Sequence, residues 1–190
     1  MRVGLTVRGV VQGVGFRPGV CRVARELGLT GFVRNGRGAV RIEAQGARVE
    51  ELVSALWALP APIAVEHLDR DELPDSGETS FEIAPSDEAA AVEAALPPDL
   101  AVCVDCAAEI DDPKARRHRY PFTNCTRCGP RFSIVEALPY DRARTSMKLF
   151  ELCADCALEY ASPADRRFHA EPIACPACGP RAWLCGEDGL

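Results

Sequence analysis

The stretch "GVVQGVGFRP", residues 9–18, lies where an alternating segment gives way to one of helical period. Before it, Val3, Leu5 and Val7 alternate with Arg2, Thr6 and Arg8, the pattern of a half-buried strand. After it, Phe16, Val20, Val23, Ala24 and Leu27 recur at helical spacing, and Gly28 stands where a helix commonly stops. A strand turning sharply into a helix aims unpaired backbone amides at one point, where the helix dipole adds positive potential. Gly13 and Gly15 permit the tight backbone, and Arg17 offers a fork of donors suited to phosphoryl oxygens. An arginine this close to a helix N-terminus is otherwise opposed by the dipole, a cost that a bound anion reverses. Gln12, Gly13, Val14, Gly15, Phe16 and Arg17 therefore form a candidate phosphate cradle. The competing reading is an ordinary tight turn with a solvated arginine.

Working outward, "TGFVRNGRGAVRIEAQG", residues 30–46, reads as two strands around Asn35-Gly36, with Val40, Ile42 and Ala44 on one face. "RVEELVSALWAL", residues 48–59, reads as a helix whose stripe is Val49, Leu52, Val53, Leu56 and Trp57, stopped by Pro60 and Pro62. Two further strands are expected near residues 63–70 and 80–84. The order βαββαβ plus an edge strand predicts an α+β domain over residues 1–88, with helices on one face of an antiparallel, ferredoxin-like sheet. Residues 89–100, alanine-rich and ended by Pro97-Pro98, read as a linker.

The remainder, residues 101–190, is a duplication. "CVDCAAEIDDPKARRHRYPFTNCTRCGPR", residues 103–131, aligns without a gap at an offset of fifty with "CADCALEYASPADRRFHAEPIACPACGPR", residues 153–181. Each copy pairs one CxxC with another, a spacing that lets four thiolates surround one tetrahedral zinc ion in a closed, structural site. The metal substitutes for the core that a unit of this size lacks. Sequential sets, Cys103/Cys106/Cys125/Cys128 and Cys153/Cys156/Cys175/Cys178, are expected; interleaving between the copies is the open alternative, and disulfide or redox pairs are a poorer one. His118 and His169 lie near complete cysteine sets and are expected at the surface or behind the ligands. Cys21 reads as a small core side chain, while Cys185 and His67 take no role.

Charge sharpens the assignment. Residues 1–44 carry eight arginines against two glutamates, residues 45–100 two arginines against thirteen acids, and the duplicated part twelve bases against thirteen acids, within an overall −6. The basic first stretch suits an anion. Eight thiolates binding two zinc ions leave the duplicated part more negative still, which argues against nucleic acid even if its arginines gather on one face. No run of about eighteen uncharged apolar residues is present, nor an apolar block at the start, so a soluble, cytoplasmic protein without a membrane partner is expected.

"VQGVGFR" followed by "LGLTGFVRNGRGAVRIEAQG" resembles the acylphosphatase signature. The resemblance implies that the loop and Arg17 hold a phosphoryl group and that Asn35 orients the attacking water. "RYPFTNCTRCGPRFSI", "LPYDRARTSM" and "DRRFHAEPIACPACGPR" extend it to the N-terminal part of the HypF family of hydrogenase-maturation carbamoyltransferases, over essentially all 190 residues. That family implies a carbamoyl phosphate or other small acyl phosphate substrate, and a HypE-type maturation protein as partner. It also implies ATP-using domains beyond residue 190, so this chain reads as a fragment or truncated product with hydrolysis as its own chemistry. An inactive zinc-stabilised scaffold is the alternative, and a nucleic-acid module a weaker one.

Overall fold

The computed structural model describes residues 1–36, 38–87, 99–129, 132–183 and 185–186. Five strands, β1 (Arg2–Val10), β2 (Thr30–Asn35), β3 (Val40–Gln45), β4 (Ala64–Leu73) and β5 (Phe81–Ile83), make one sheet in the order β4-β1-β3-β2-β5. Helices α1 (Phe16–Glu26) and α2 (Val49–Trp57) pack against it. Alternation fixes the register: Val3, Leu5 and Val7 of β1 face Ala44, Ile42 and Val40 of β3, and all six are buried. The β2–β3 turn follows Asn35, with the Gly36 amide donating to the Ala39 carbonyl at 2.9 Å.

Two expectations need correction. The sheet is mixed, because β5 runs parallel to β2 (Gly31 opposite Phe81), and Phe81 is thereby drawn into the core. Trp57 does not continue the α2 stripe: it is 55% exposed, since the last turn that faces the sheet ends at Leu56. The expected linker, residues 89–100, falls on residues outside the description except for its last two. Among the described residues, no helix is long and apolar enough to cross a membrane.

The duplication repeats in three dimensions. Helix α3 (Val104–Asp111) and helix α4 (Ala154–Ala161) each begin directly after the first cysteine of their unit. Arg119 and His169, fifty residues apart, share a left-handed backbone at φ 57° and 53°. Between the units, the described residues make 3₁₀ turns at Phe132–Ile134, Arg142–Arg144 and Ser146–Leu149, with an isolated bridge between Val135 and Thr145. The second unit packs on the first domain, where Phe168 joins the cluster built from Phe16, Val20 and the sheet.

Candidate active site and metal centres

The loop after β1 has the backbone its glycines imply. Gly13 and Gly15 take φ of 72° and 80°, Gly15 serving as the N-cap of α1. A side chain at Gly15 would also press on Thr126, whose carbonyl would stand 3.0 Å from the new Cβ. Gln12 braces the loop by donating from Nε2 to the Gly36 carbonyl at 2.8 Å. Pro18 lies in the first helical turn, where no amide hydrogen is needed, so the helix starts undisturbed.

Arg17 is not solvated. It is 8% exposed and reaches into the second domain. Its Nη1 pairs with Asp141 Oδ1 at 3.0 Å, and its Nη2 donates to Glu171 Oε1 at 2.9 Å and to the Tyr140 carbonyl at 3.2 Å. The anions that offset its unfavourable position near the dipole are thus supplied by the chain itself. Asn35, fully buried, donates from Nδ2 to the same Tyr140 carbonyl at 3.2 Å. Its Oδ1 is buried with no hydrogen-bond partner among the described residues.

Loop and second domain together form a small, partly open cleft with about 20 Å³ for the centres of water-sized atoms, lined by Gly13, Gly15, Arg17, Thr126, Tyr140 and Glu171. That space is comparable with the sphere on which the oxygens of one phosphoryl group lie. On the other side of Arg17 an open groove of about 400 Å³ runs past Asp141, Tyr160, His169 and Glu171 to the end of β5. Burial raises the Glu171 carboxyl above the ordinary range, with Arg17 opposing.

Burial, and then the Arg17 guanidinium, lowers the His169 imidazole to about 4 from an ordinary 6.5. The unfolded chain therefore takes up this proton at higher pH than the folded one. Between those values the unfolded state binds more protons, and stability falls as pH drops through the window. The variant His169→Asn, a residue that tolerates left-handed backbone, is expected to lose that share of the acid slope. Urea melts of both proteins from pH 8 to pH 4 check it: parallel curves would show that His169 does not titrate this way.

The cysteines gather in the sequential sets, Cys103, Cys106, Cys125 and Cys128, and Cys153, Cys156, Cys175 and Cys178, each with its sulfurs within 4.8 Å of one another. Neighbouring Sγ atoms lie 3.7 to 3.9 Å apart in the first set and 3.6 to 3.7 Å in the second. Four sulfurs at about 2.3 Å from a tetrahedral zinc stand about 3.8 Å apart, so both sets fit the ion and leave no position for water. His118 and His169 are in neither set.

Arginines of each unit cross to the other unit's cysteines, both of the first pair and Arg166 of the second. Arg116 and Arg117 both donate to Cys156 Sγ at 3.3 Å, and Arg166 donates to Cys106 Sγ at 2.9 Å. Glu159 accepts from Arg116 and Arg117, Glu109 from Arg166 and Arg167. Burial opposes the Glu159 charge, but its bonds from Arg117 and Arg116 outweigh it and hold the carboxyl at about 2. Arg117 and Arg167 are 1% and 4% exposed and form an internal seam, while Arg116 and Arg166 are partly solvent-exposed and are held by Glu159 and Glu109.

Sequence reasoning missed Tyr140, Asp141 and Glu171 as site residues. They lie in the motifs "LPYDRARTSM" and "HAEPIACPACGPR", but nothing local in those motifs shows that they return to a loop more than a hundred residues earlier.

Comparisons with known proteins match two families along the chain. The acylphosphatase family matches residues 3–83, and the HypF finger matches twice, at residues 102–135 and 152–185. The carbamoyltransferase HypF2 of Cupriavidus necator is 50% identical over 157 residues, covering 79% of this chain and 19% of that protein. An acylphosphatase of a Synechococcus species (strain WH7803) is 44% identical over 80 residues, covering 40% of this chain and 80% of that protein. A solved structure of full-length HypF in its phosphate- and nucleotide-bound form superposes with a TM-score of 0.91 at 42% identity, covering 99% of this chain and 26% of that one. The chain thus spans about a fifth of the length of the carbamoyltransferase relative.

Proposed function

The chain belongs to the acylphosphatase family through its first domain and carries paired HypF fingers after it, and from that premise we propose that it hydrolyses carbamoyl phosphate or another small acyl phosphate at Arg17 and Asn35. The observation that carries the proposal is the small, partly open cleft against the Gly13–Arg17 turn, with room for one phosphoryl group and walled by Arg17. The substrate's phosphoryl oxygens take the loop amides and the guanidinium N–H groups that Asp141, Glu171 and Tyr140 leave over. A water held by Asn35 Oδ1, a buried acceptor without a donor among the described residues, attacks phosphorus in line. A new P–O bond forms as the P–O bond to the acyl carboxyl breaks, the electron pair leaving on carbamate or carboxylate and the water's proton passing to phosphate and solvent. Little covalent help is needed, since a carboxylate leaves readily; the protein's task is geometry and stabilisation of equatorial charge.

Zinc in the two cysteine sets takes no part in this reaction and holds the second domain folded. By likeness to the HypF carbamoyltransferases the hydrolysis serves hydrogenase maturation. ATP-dependent transfer of the carbamoyl group to a HypE-type protein belongs, in this reading, to parts of those longer relatives that the match does not cover. Phosphate release from carbamoyl and acetyl phosphate by the zinc-loaded chain tests the proposal. Turnover of either above the spontaneous rate is the expected result; none from folded protein sinks the enzymatic reading and leaves a scaffold.

A further inference from the structure

We infer that the second finger unit and the segment that leads into it form a working wall of this site: the Tyr140 carbonyl and the Glu171 carboxylate hold Arg17 and Asn35 in their reactive orientation, which makes Glu171 a positioning residue. The inference rests on the reading of Arg17 and Asn35 given above. A free acylphosphatase-like domain would present a long arginine and a carboxamide to solvent, each with rotamers to lose before reaction. Here one carbonyl oxygen accepts from both, Arg17 Nη2 and Asn35 Nδ2 each at 3.2 Å, and so sets them relative to each other. The contact also decides which end of the Asn35 amide does what. Its nitrogen is consumed by Tyr140, and the oxygen, an acceptor fit for a water, is the atom left over.

Glu171 is equally determined. Its Oε2 accepts from the Arg142 amide and the Tyr160 hydroxyl, both at 3.0 Å, which leaves Oε1 aimed at Arg17. The Arg142 guanidinium ties the two supporting segments together, donating to the carbonyls of Glu171 at 2.7 Å, Ile173 at 2.9 Å and Phe150 at 2.7 Å. Tyr140 and Glu171 therefore move as one body. Four residues after Glu171, Cys175 anchors that body in the second cysteine set. Supports of this kind, one bond behind the reacting groups, typically matter by about 10- to 100-fold.

The test is Glu171→Gln in the full zinc-loaded chain. The carboxamide can still accept from Tyr160 and Arg142 through its oxygen, but it turns an N–H toward Arg17 in place of an acceptor. Against carbamoyl phosphate, kcat is expected to fall about 10- to 100-fold with a smaller change in KM. Glu171→Asp, which keeps the charge, is expected to recover part of the loss. The second readout is NMR of the side-chain nitrogens: Arg17 Nη and Asn35 Nδ2 protons exchange slowly in the parent, and those of Arg17 are released in Glu171→Gln.

An unchanged kcat in folded Glu171→Gln overturns the inference. A raised kcat does so too, by showing that the finger contact blocks the site. If Glu171→Gln does not fold, full activity in Glu171→Asp overturns it, and reduced kcat at unchanged zinc content supports it. If the parent hydrolyses neither substrate, the proposed function fails separately. The NMR comparison then decides alone: slow exchange released by the variant supports the positioning, and free Arg17 in the parent refutes it.

Discussion

Replacing Arg17 with alanine is expected to lower acyl phosphate turnover by about 10³-fold, within the range seen when a preorganised donor to developing phosphoryl or oxyanion charge is removed. Among the described residues, the side chain is the one cation that lines the cleft. The loop amides remain in the variant, so residual binding of inorganic phosphate should survive while rate is lost. Arg17→Lys is expected to recover little, because an ammonium cannot make the planar fork that meets Tyr140, Asp141 and Glu171 simultaneously. Asn35→Ala should lose rate with a smaller change in KM, since it holds the water and not the substrate. There is a structural cost to separate out. Glu171, 4% exposed, loses its guanidinium partner in Arg17→Ala, and breaking such a buried pair costs about 3–5 kcal/mol. Rates must therefore be compared per folded molecule, with circular dichroism and zinc content measured beside phosphate release. A folded Arg17→Ala protein that turns over like the parent would remove Arg17 from the mechanism.

How much of this could be read from residue order depends on the distance over which each feature is encoded. Strand β1 and helix α1 were legible because Val3, Leu5 and Val7, and then Phe16, Val20 and Ala24, repeat within single elements and meet one core. A β2–β3 connection was legible at Asn35-Gly36, but its placement was not: Asn35 ends β2 opposite Val40, and the connection lies between them. The cysteine sets were legible because their spacing is the chemistry, and the offset of fifty carried over even to the shared left-handed backbone of Arg119 and His169. The direction of β5 was not, since a three-residue strand records burial and not orientation. Nor was the surrounding of Arg17. Its partners Tyr140 and Glu171 lie 123 and 154 residues away, and no local period encodes a contact made by docking one domain on another. The arginine pairs at 116–117 and 166–167 were visible as a repeated motif, but their targets are visible only once the two units face each other.

That facing leads to the largest effect on stability. Cys106→Ser is expected to lose metal from the first set and also to loosen it in the second. A structural zinc contributes on the order of 10–16 kcal/mol in finger peptides, more than a unit of this size can replace from its own packing. The first-unit core consists of little besides the cysteines themselves. Without the metal α3 loses its anchor at Cys103 and Cys106, and with it Glu109, which holds Arg166 and Arg167. Arg116 and Arg117 lie on that unit as well, and they are what places positive charge against Cys156 in the other set. Four thiolates around Zn²⁺ carry a net charge of −2, so withdrawing those guanidinium groups raises the cost of holding the second ion. Zinc release to a chromogenic chelator should thus change from two equivalents leaving together in the parent to less than one tightly held equivalent in the variant. Arg117→Ala, with all eight ligands intact, should weaken the second site while leaving two equivalents bound at low chelator. A variant Cys106→Ser that keeps one full equivalent with parental kinetics would show the sites to be independent and the crossed arginines to be packing alone.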